Sequence, residues 1–445
     1  MNFKDTLMDA LPRFQSIRQA VFDQMLDNSI LLLGSAPVHY RNSDTEYPYR
    51  QDSYFYYLTG FEESEAIIAL IKNKSTTRLI VFCQEIDPKQ AQWVGAGVGV
   101  KGAIKALGAD EAFPITQADD LLPDLLNGMQ TIYYLVGSQP DFEKQIFSAI
   151  ERLRKKVRQG NTPHQFIDLR KIVNDCRLIK SPEELQLMRK ACEISIAGHL
   201  QAMEQCRPGM HEYELEAILL HEFCKRGARD LAYTSIVAGG NNACTLHYTR
   251  NNASLKDNTL VLIDAGAEFH CYAADITRTF PVNGKFTSQQ QAIYELVLAS
   301  QTAAIERVAP GLAWEEIQST IVKILVTGLV DLKILKGDVA RLIEDKAYLP
   351  FYMHNSGHWL GLDVHDVGSY QNPNGTSRTL ASGMVLTVEP GLYLSADNRN
   401  IPEQWRGIGV RIEDDVCVTS KGNEVLSGAL PKTVSEIEKL MQRKG

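Results

Sequence analysis

The first 170 or so residues alternate two hydrophobic patterns. Ser29–Leu33, Ala66–Ile71, Arg78–Cys83 and Thr131–Val136 are short apolar, β-branched-rich runs bounded by Gly, Asn, Ser or Asp, and they predict strands. Between them, Ala103–Leu107 and Phe142–Arg154 carry apolar residues at helical spacing. The alternation predicts an α/β domain with helices packed on a sheet. A polar, basic stretch from Arg152 to His164 reads as a linker, with Ile167–Arg177 as a joining helix. The boundary is expected near residue 175, giving domains over residues 1–175 and 176–445.

The second part has a different grammar. Ser181, Pro182 and Glu184 form a Ser-x-x-Glu capping box that starts a helix carrying Leu185, Met188 and Cys192 at helical spacing. Pro208-Gly209-Met210-His211-Glu212 opens an amphipathic helix that Gly227 is expected to end. About a hundred residues later Pro310-Gly311-Leu312-Ala313-Trp314-Glu315 opens another. After each comes a His-containing segment and then an apolar strand ending in an acid, Leu260–Asp264 and Met384–Glu389. The pattern predicts an α+β domain with an internal pseudo-twofold repeat and a site between its halves.

Composition narrows the classes. The 445 residues are 44% hydrophobic and 22% charged, ordinary values for a globular protein. No apolar run of about 18 residues predicts a membrane span. Lys4, Asp5, Asp9 and Arg13 interrupt the N-terminus, so no secretory leader is expected. With 46 Lys and Arg against 54 Asp and Glu, the net charge of −8 offers no broad cationic footprint for nucleic acid. The eight cysteines lie at least 14 residues apart, excluding a CxxC metal or redox motif. They read as free thiols in a cytoplasmic protein.

The chemistry lies in acids placed among apolar residues. Were Asp264 and Asp275 opposed in a hairpin turning near Phe269-His270, their repulsion would cost about 3 kcal/mol at 5 Å and an effective dielectric of 20. A cation between them would turn that penalty into a ligand pair; two strand-end aspartates facing water would fit the same pattern. Glu389 ends the apolar run Met384–Val388, and Glu413 follows Val410-Arg411-Ile412. His354, His358 and His365 put three of the chain's ten histidines within twelve residues. Four carboxylates with imidazole make an oxygen-rich site suited to Mn²⁺, with Co²⁺, Fe²⁺ and Zn²⁺ as alternatives. Four negative charges balance two divalent ions, an arrangement that points to metal-assisted hydrolysis.

The ordered set Asp264, Asp275, His358, Glu389 and Glu413 resembles the five-ligand site of the pita-bread metallopeptidases. His354-x-x-x-His358-Trp359-Leu360-Gly361-x-Asp363-x-His365-Asp366, Glu389-Pro390-Gly391 and Gly407–Glu413 look like the bacterial aminopeptidase P (Xaa-Pro aminopeptidase) branch. Asp44–Ser53 and Tyr57–Phe61 are similar to that branch's N-terminal domain. The resemblance implies a pita-bread catalytic domain, two divalent ions, and release of the residue preceding a penultimate proline by a hydroxide that the ions share. It also implies that Asp264 holds one ion, that His358 and Glu389 hold the other, and that Asp275 and Glu413 bridge them. In the same reading Glu389 exchanges protons, His365 and His247 hold the substrate, and His354 and Arg411 line the proline side. A dimer or tetramer is implied, with Trp93 and Asp44 as candidates for a wall supplied by a neighbouring subunit; a core indole and a turn aspartate are the plainer readings. A prolidase and a peptide-binding module without catalysis are the alternatives. Gly97–Gly102 matches GxGxxG but lacks a preceding strand, so no dinucleotide is expected.

Overall fold

The computed structural model describes residues 3–442 apart from Ser75 and Val157. The chain divides into two compact units, Met1–Arg177 and Leu178–Gly445. Among the described residues no helix is long and apolar enough to cross a membrane.

The first unit is built on a six-stranded mixed sheet. Ser29–Gly34 lies inside it, antiparallel to Ile67–Asn73 and parallel to Thr131–Tyr134. Thr76–Cys83 and Glu111–Pro114 extend one side, and Gln165–Asp168 closes the other. Successive side chains of the inner strand point to opposite faces and all are buried, as a strand covered on both faces requires. Ile30 and Leu32 pack with Leu122, Ile146 and Ile150 of the helices Ala118–Leu126 and Pro140–Arg154. The aromatic run at residues 54–57 lies in the helix Ser53–Thr59, which Asp52 caps and Gly60 ends with a left-handed φ of 67°.

The stretch from Arg152 to His164 is not an interdomain linker. The helix runs on to Arg154, and after a loop the chain returns as Gln165–Asp168, parallel to Thr131–Tyr134. Asn161 O accepts from Gly128 N at 2.9 Å, tying that loop to its own unit. Its basic residues face water, and Arg152 and Lys156 pair there with Asp120 and Asp124 of the same unit.

The second unit contains two halves of similar order. Each opens with a helix pair, Pro182–Gln205 with Glu212–Lys225 and Ser288–Arg307 with Glu315–Asp331. Each continues into a three-stranded antiparallel sheet. The first sheet orders Ile236–Gly239, Leu260–Asp264 and Thr277–Pro281; the second orders Val385–Val388, Asp414–Val418 and Asn423–Val425. The capping box at Ser181 is present, with Glu184 N donating to Ser181 Oγ and Ser181 N to Glu184 Oε2. One continuous apolar core, from Leu219 and Val261 to Leu325 and Val410, runs through both halves.

Candidate metal centre

The two acid-bearing strands meet in an unexpected register. Asp264 pairs with Thr277, not Asp275. Phe269 pairs with Tyr272 around a turn in which His270 and Cys271 both take positive φ, and this two-residue turn fixes the register. Ala265 N donates to Ile276 O, so Asp275 lies one rung further along, opposite Gly266. A side chain on Gly266 would strike the backbone of Ala274. The aspartates are therefore diagonal neighbours, and the Tyr233 hydroxyl lies within hydrogen-bonding distance of an oxygen of each. Having one proton, it donates to only one at a time. Nothing in the sequence pattern marks Tyr233, which sits in irregular chain before Ile236.

In the second half Val388 pairs with Asp414 and Gly391 with Arg411. Two residues on each strand lie between these rungs, so Glu389 falls opposite Glu413 and Pro390 opposite Ile412. The segment carrying His358 runs along the other edge of Val385–Val388. Thr387 N donates to His358 O, Glu389 N to Ser356 O and His358 N to Thr387 Oγ1, at 2.9–3.0 Å. Gly357 permits this approach, since a side chain there would meet Thr387 O. Glu413 N donates to Thr277 O at 3.1 Å and Asp275 N to Asp415 Oδ2 at 3.0 Å, joining the acid-bearing segments of the two halves.

All nine polar residues singled out in this unit (Asp264, Asp275, His358, Glu389, Glu413, His247, His354, His365 and Arg411) line one cavity of about 720 Å³. Asp275, His358 and Glu413 each offer a ligand atom within 4.8 Å of the others. Glu389 Oε1 lies 3.7 Å from His358 Nε2, and Arg411 Nη2 donates to Asp264 Oδ2 at 2.6 Å. Arg411 also donates to Thr277 Oγ1 and to the Tyr393 hydroxyl, while Thr277 donates to Glu413 Oε2. Thr277 and Tyr393, like Tyr233, carry no sequence signal beyond lying near the acids.

Hydrogen bonding fixes the imidazole tautomers. His358 Nδ1 faces Trp359 O, which only accepts, so Nδ1 carries the hydrogen. Its Nε2 then points toward Asp275 Oδ2, 3.3 Å away, and Glu389 Oε1. A lone pair aimed at two carboxylates is repulsive unless a cation or a proton lies between them. Burial alone would lower the His358 pKa, but Asp275 and Glu389 lift it to about 9. Burial, reinforced by Asp275, lifts Glu389 to about 7, and burial with Asp275 and Glu389 pushes Glu413 far up. The cluster is short of positive charge, and its donors are imidazole nitrogen and carboxylate oxygen. It fits divalent cations. His354 differs: burial and Arg411 lower it to about 4, and its Nδ1–H donates to Asn355 O while Nε2 accepts from Tyr393.

In the first unit, Trp93 is 88% exposed, which overturns the core-indole reading. Asp44 lies in the exposed turn between Tyr40–Asn42 and Thr45–Glu46. Gly97–Gly102 follows a helix, Pro88–Val94, and Val98 N donates to the Glu63 carboxylate at 2.6 Å, an anion where a phosphate would have to sit.

The model of metallopeptidase family M24 matches residues 186–420, and that of the aminopeptidase P N-terminal domain matches residues 14–133. The chain is 48% identical to the Xaa-Pro aminopeptidase of Escherichia coli, over 96% of this chain and 97% of that protein. It is 36% identical to Xaa-Pro aminopeptidase 3 of Mus musculus, over 94% of this chain and 81% of that one. Among solved structures, aminopeptidase PepP of Pseudomonas aeruginosa is similar with a TM-score of 0.95 and 51% identity, covering 97% of this chain and 98% of that one. Zinc-substituted E. coli aminopeptidase P in complex with product has a TM-score of 0.94 and 48% identity, covering 96% and 97%.

Proposed function

The chain belongs to metallopeptidase family M24 and carries the aminopeptidase P N-terminal domain, and from that premise we propose that it is a metal-dependent exopeptidase releasing the first residue of Xaa-Pro-Yaa peptides. The observation that carries the reading is the convergence of five candidate ligands, three further imidazoles and one guanidinium group on one cavity.

Asp264, Asp275, His358, Glu389 and Glu413 would hold two divalent ions, most suitably Mn²⁺ given the oxygen-rich donors. When bound, such ions supply Lewis-acid polarisation of a carbonyl and lower the pKa of water. The chain's own groups supply the rest. Glu389, raised to about 7, takes a proton from the attacking water and returns it to the leaving nitrogen. That return is needed because an amide nitrogen leaves as an amine only once it has gained a proton. His354 stands beside that carboxylate, its Nδ1 3.7 Å from Glu389 Oε2, with the ring fixed by its bonds to Asn355 O and the Tyr393 hydroxyl. Arg411 fixes Asp264 directly and Glu413 through Thr277. His365, packed edge-on at 4.4 Å against His358, and His247 offer nitrogen to the substrate carbonyl. Ile236, Leu246, Val364 and Trp314 give the cavity an apolar wall for a pyrrolidine ring.

Eight cysteines without disulfide partners suit a reducing cytoplasmic compartment. A homo-oligomer, dimer or tetramer, would cover the exposed indole of Trp93. The test is a matched assay with Mn²⁺ on Xaa-Pro-Yaa and on the dipeptide Xaa-Pro, each repeated after chelation. Chelator-sensitive release of the first residue from the tripeptide, with little from the dipeptide, is the expected result. Cleavage of the dipeptide alone would make the protein a prolidase, and turnover of neither would overturn the assignment.

A further inference from the structure

The rungs that carry Glu389 and Glu413 leave a backbone carbonyl without its ladder partner. Pro390 stands opposite Ile412, and Ile412 N donates to Pro390 O at 3.2 Å. In an antiparallel pair the reciprocal bond would run from residue 390 to Ile412 O. Proline has no N–H, so that bond cannot form. Buried carbonyls of this kind require a partner from elsewhere.

The partner is a side chain from the helix Ser288–Arg307. Gln301 is fully buried, and its Nε2 lies 3.2 Å from Ile412 O and 3.2 Å from Val388 O. These carbonyls belong to the residues immediately preceding Glu413 and Glu389. The same nitrogen reaches Asp414 Oδ2 at 3.1 Å, and Gln301 Oε1 accepts from Lys432 Nζ at 3.1 Å. Asp414 is itself pinned by Arg278 and Ser427, and Arg278 donates to Glu413 O at 2.7 Å. The amide therefore spans both strands at the rung where the two glutamates face one another, and it is held from behind by a satisfied polar network.

We propose that Gln301 is a positioning residue that sets the separation of Glu389 and Glu413, and with it the ability of the site to take a second divalent ion. It replaces the hydrogen bond that Pro390 cannot make, and it touches neither substrate nor ion. The proposal rests on the two-ion reading above.

The test uses the full-length protein, chelated and titrated with Mn²⁺ by calorimetry. Gln301→Met keeps the side-chain length but removes both donor and acceptor. It is expected to bind the first ion as wild type does and the second at least tenfold more weakly. The spin-coupled electron paramagnetic resonance signal of the Mn²⁺ pair should fall, and kcat should drop with KM little changed. Pro390→Ala restores an N–H to the rung, so adding it to Gln301→Met should recover part of the second-ion affinity. Loss of thermal stability in the chelated variant with both ion affinities intact would reduce Gln301 to a structural role and overturn the proposal. So would a double variant no better than Gln301→Met. Wild-type protein that binds fewer than two ions would instead overturn the functional reading.

Discussion

In the N-terminal unit the innermost residues are Leu31, Ile68, Val81 and their neighbours, whereas in the catalytic unit they include Arg278, Thr387, Asp414 and Asp415, all equally inaccessible. The first unit keeps ion pairs such as Lys156–Asp124 and Arg152–Asp120 at its surface, and its buried Arg18 donates to the carbonyls of Leu58 and Leu107. The second gathers Asp264, Asp275, Glu389 and Glu413 around one cavity, with Arg411 and His358 as the basic groups beside them. Apolar burial supports the first unit at about 25 cal/mol per Å². In the second, part of that gain is offset by the desolvation of carboxylates that only a cation satisfies. One unit is arranged for stability, and the other gives up stability to hold a reactive centre.

The sharpest way to break the contrast is Glu389→Gln. Losing its proton-exchanging carboxylate should lower kcat/KM by about 10³-fold, measured on a Xaa-Pro-Yaa tripeptide with Mn²⁺. The same variant should stabilise the chelated protein at pH 8. An acid whose pKa rises on folding, here to about 7, destabilises the fold once pH exceeds its unfolded value, and the amide removes that penalty. A chelated variant that melts below chelated wild type would contradict this account.

The cores themselves separate in a pair of substitutions. Arg278→Met leaves Asp414 buried with Lys432 as its remaining cationic partner and should cost about 3–5 kcal/mol, together with activity, since Glu413 O loses its guanidinium donor. Leu31→Ala should cost a comparable or smaller amount, about 2–5 kcal/mol, while kcat per folded molecule stays at the wild-type value. Denaturant titration paired with active-site titration would distinguish them, and equal losses of kcat would erase the distinction.

The smallest effect is in pH. His358 is raised to about 9, so its stabilising charge is fully present below about pH 6.5 and is lost as pH climbs through 9. Chelated protein should therefore melt at progressively lower temperature from pH 7 to 9. Metal-loaded protein should not follow, because an ion takes the place of the His358 proton. Parallel thermal scans with and without Mn²⁺ would show whether the curves diverge.

Much of this was readable from residue pattern, for identifiable reasons. The strands around Leu31 and Leu262 are apolar on both faces, and the capping box at Ser181 is a local signal, so both survive without tertiary context. The acids announced themselves by interrupting apolar runs. The register of Asp264 against Thr277 did not, because it depends on positive φ at His270 and Cys271, two residues without glycine's preference for that region. Tyr233, Thr277 and Gln301 were silent, since a polar residue in a loop, strand or helix reveals its partner only when distant segments converge. The stretch from Arg152 to His164 misled through composition, its basic surface resembling a linker while it joins a helix to a strand of the same unit.

The candidate ligands also impose a schedule on synthesis. Asp264 and Glu413 are separated by about 150 residues, which at roughly 5–20 residues per second is about 7–30 s of translation. Until the final strands emerge, a growing chain holds two aspartates and a tyrosine but neither glutamate, and no centre can close around an ion. Metal uptake thus becomes a mark of completion: a chain interrupted before its last strands carries the acids of a metallopeptidase without the means to become one.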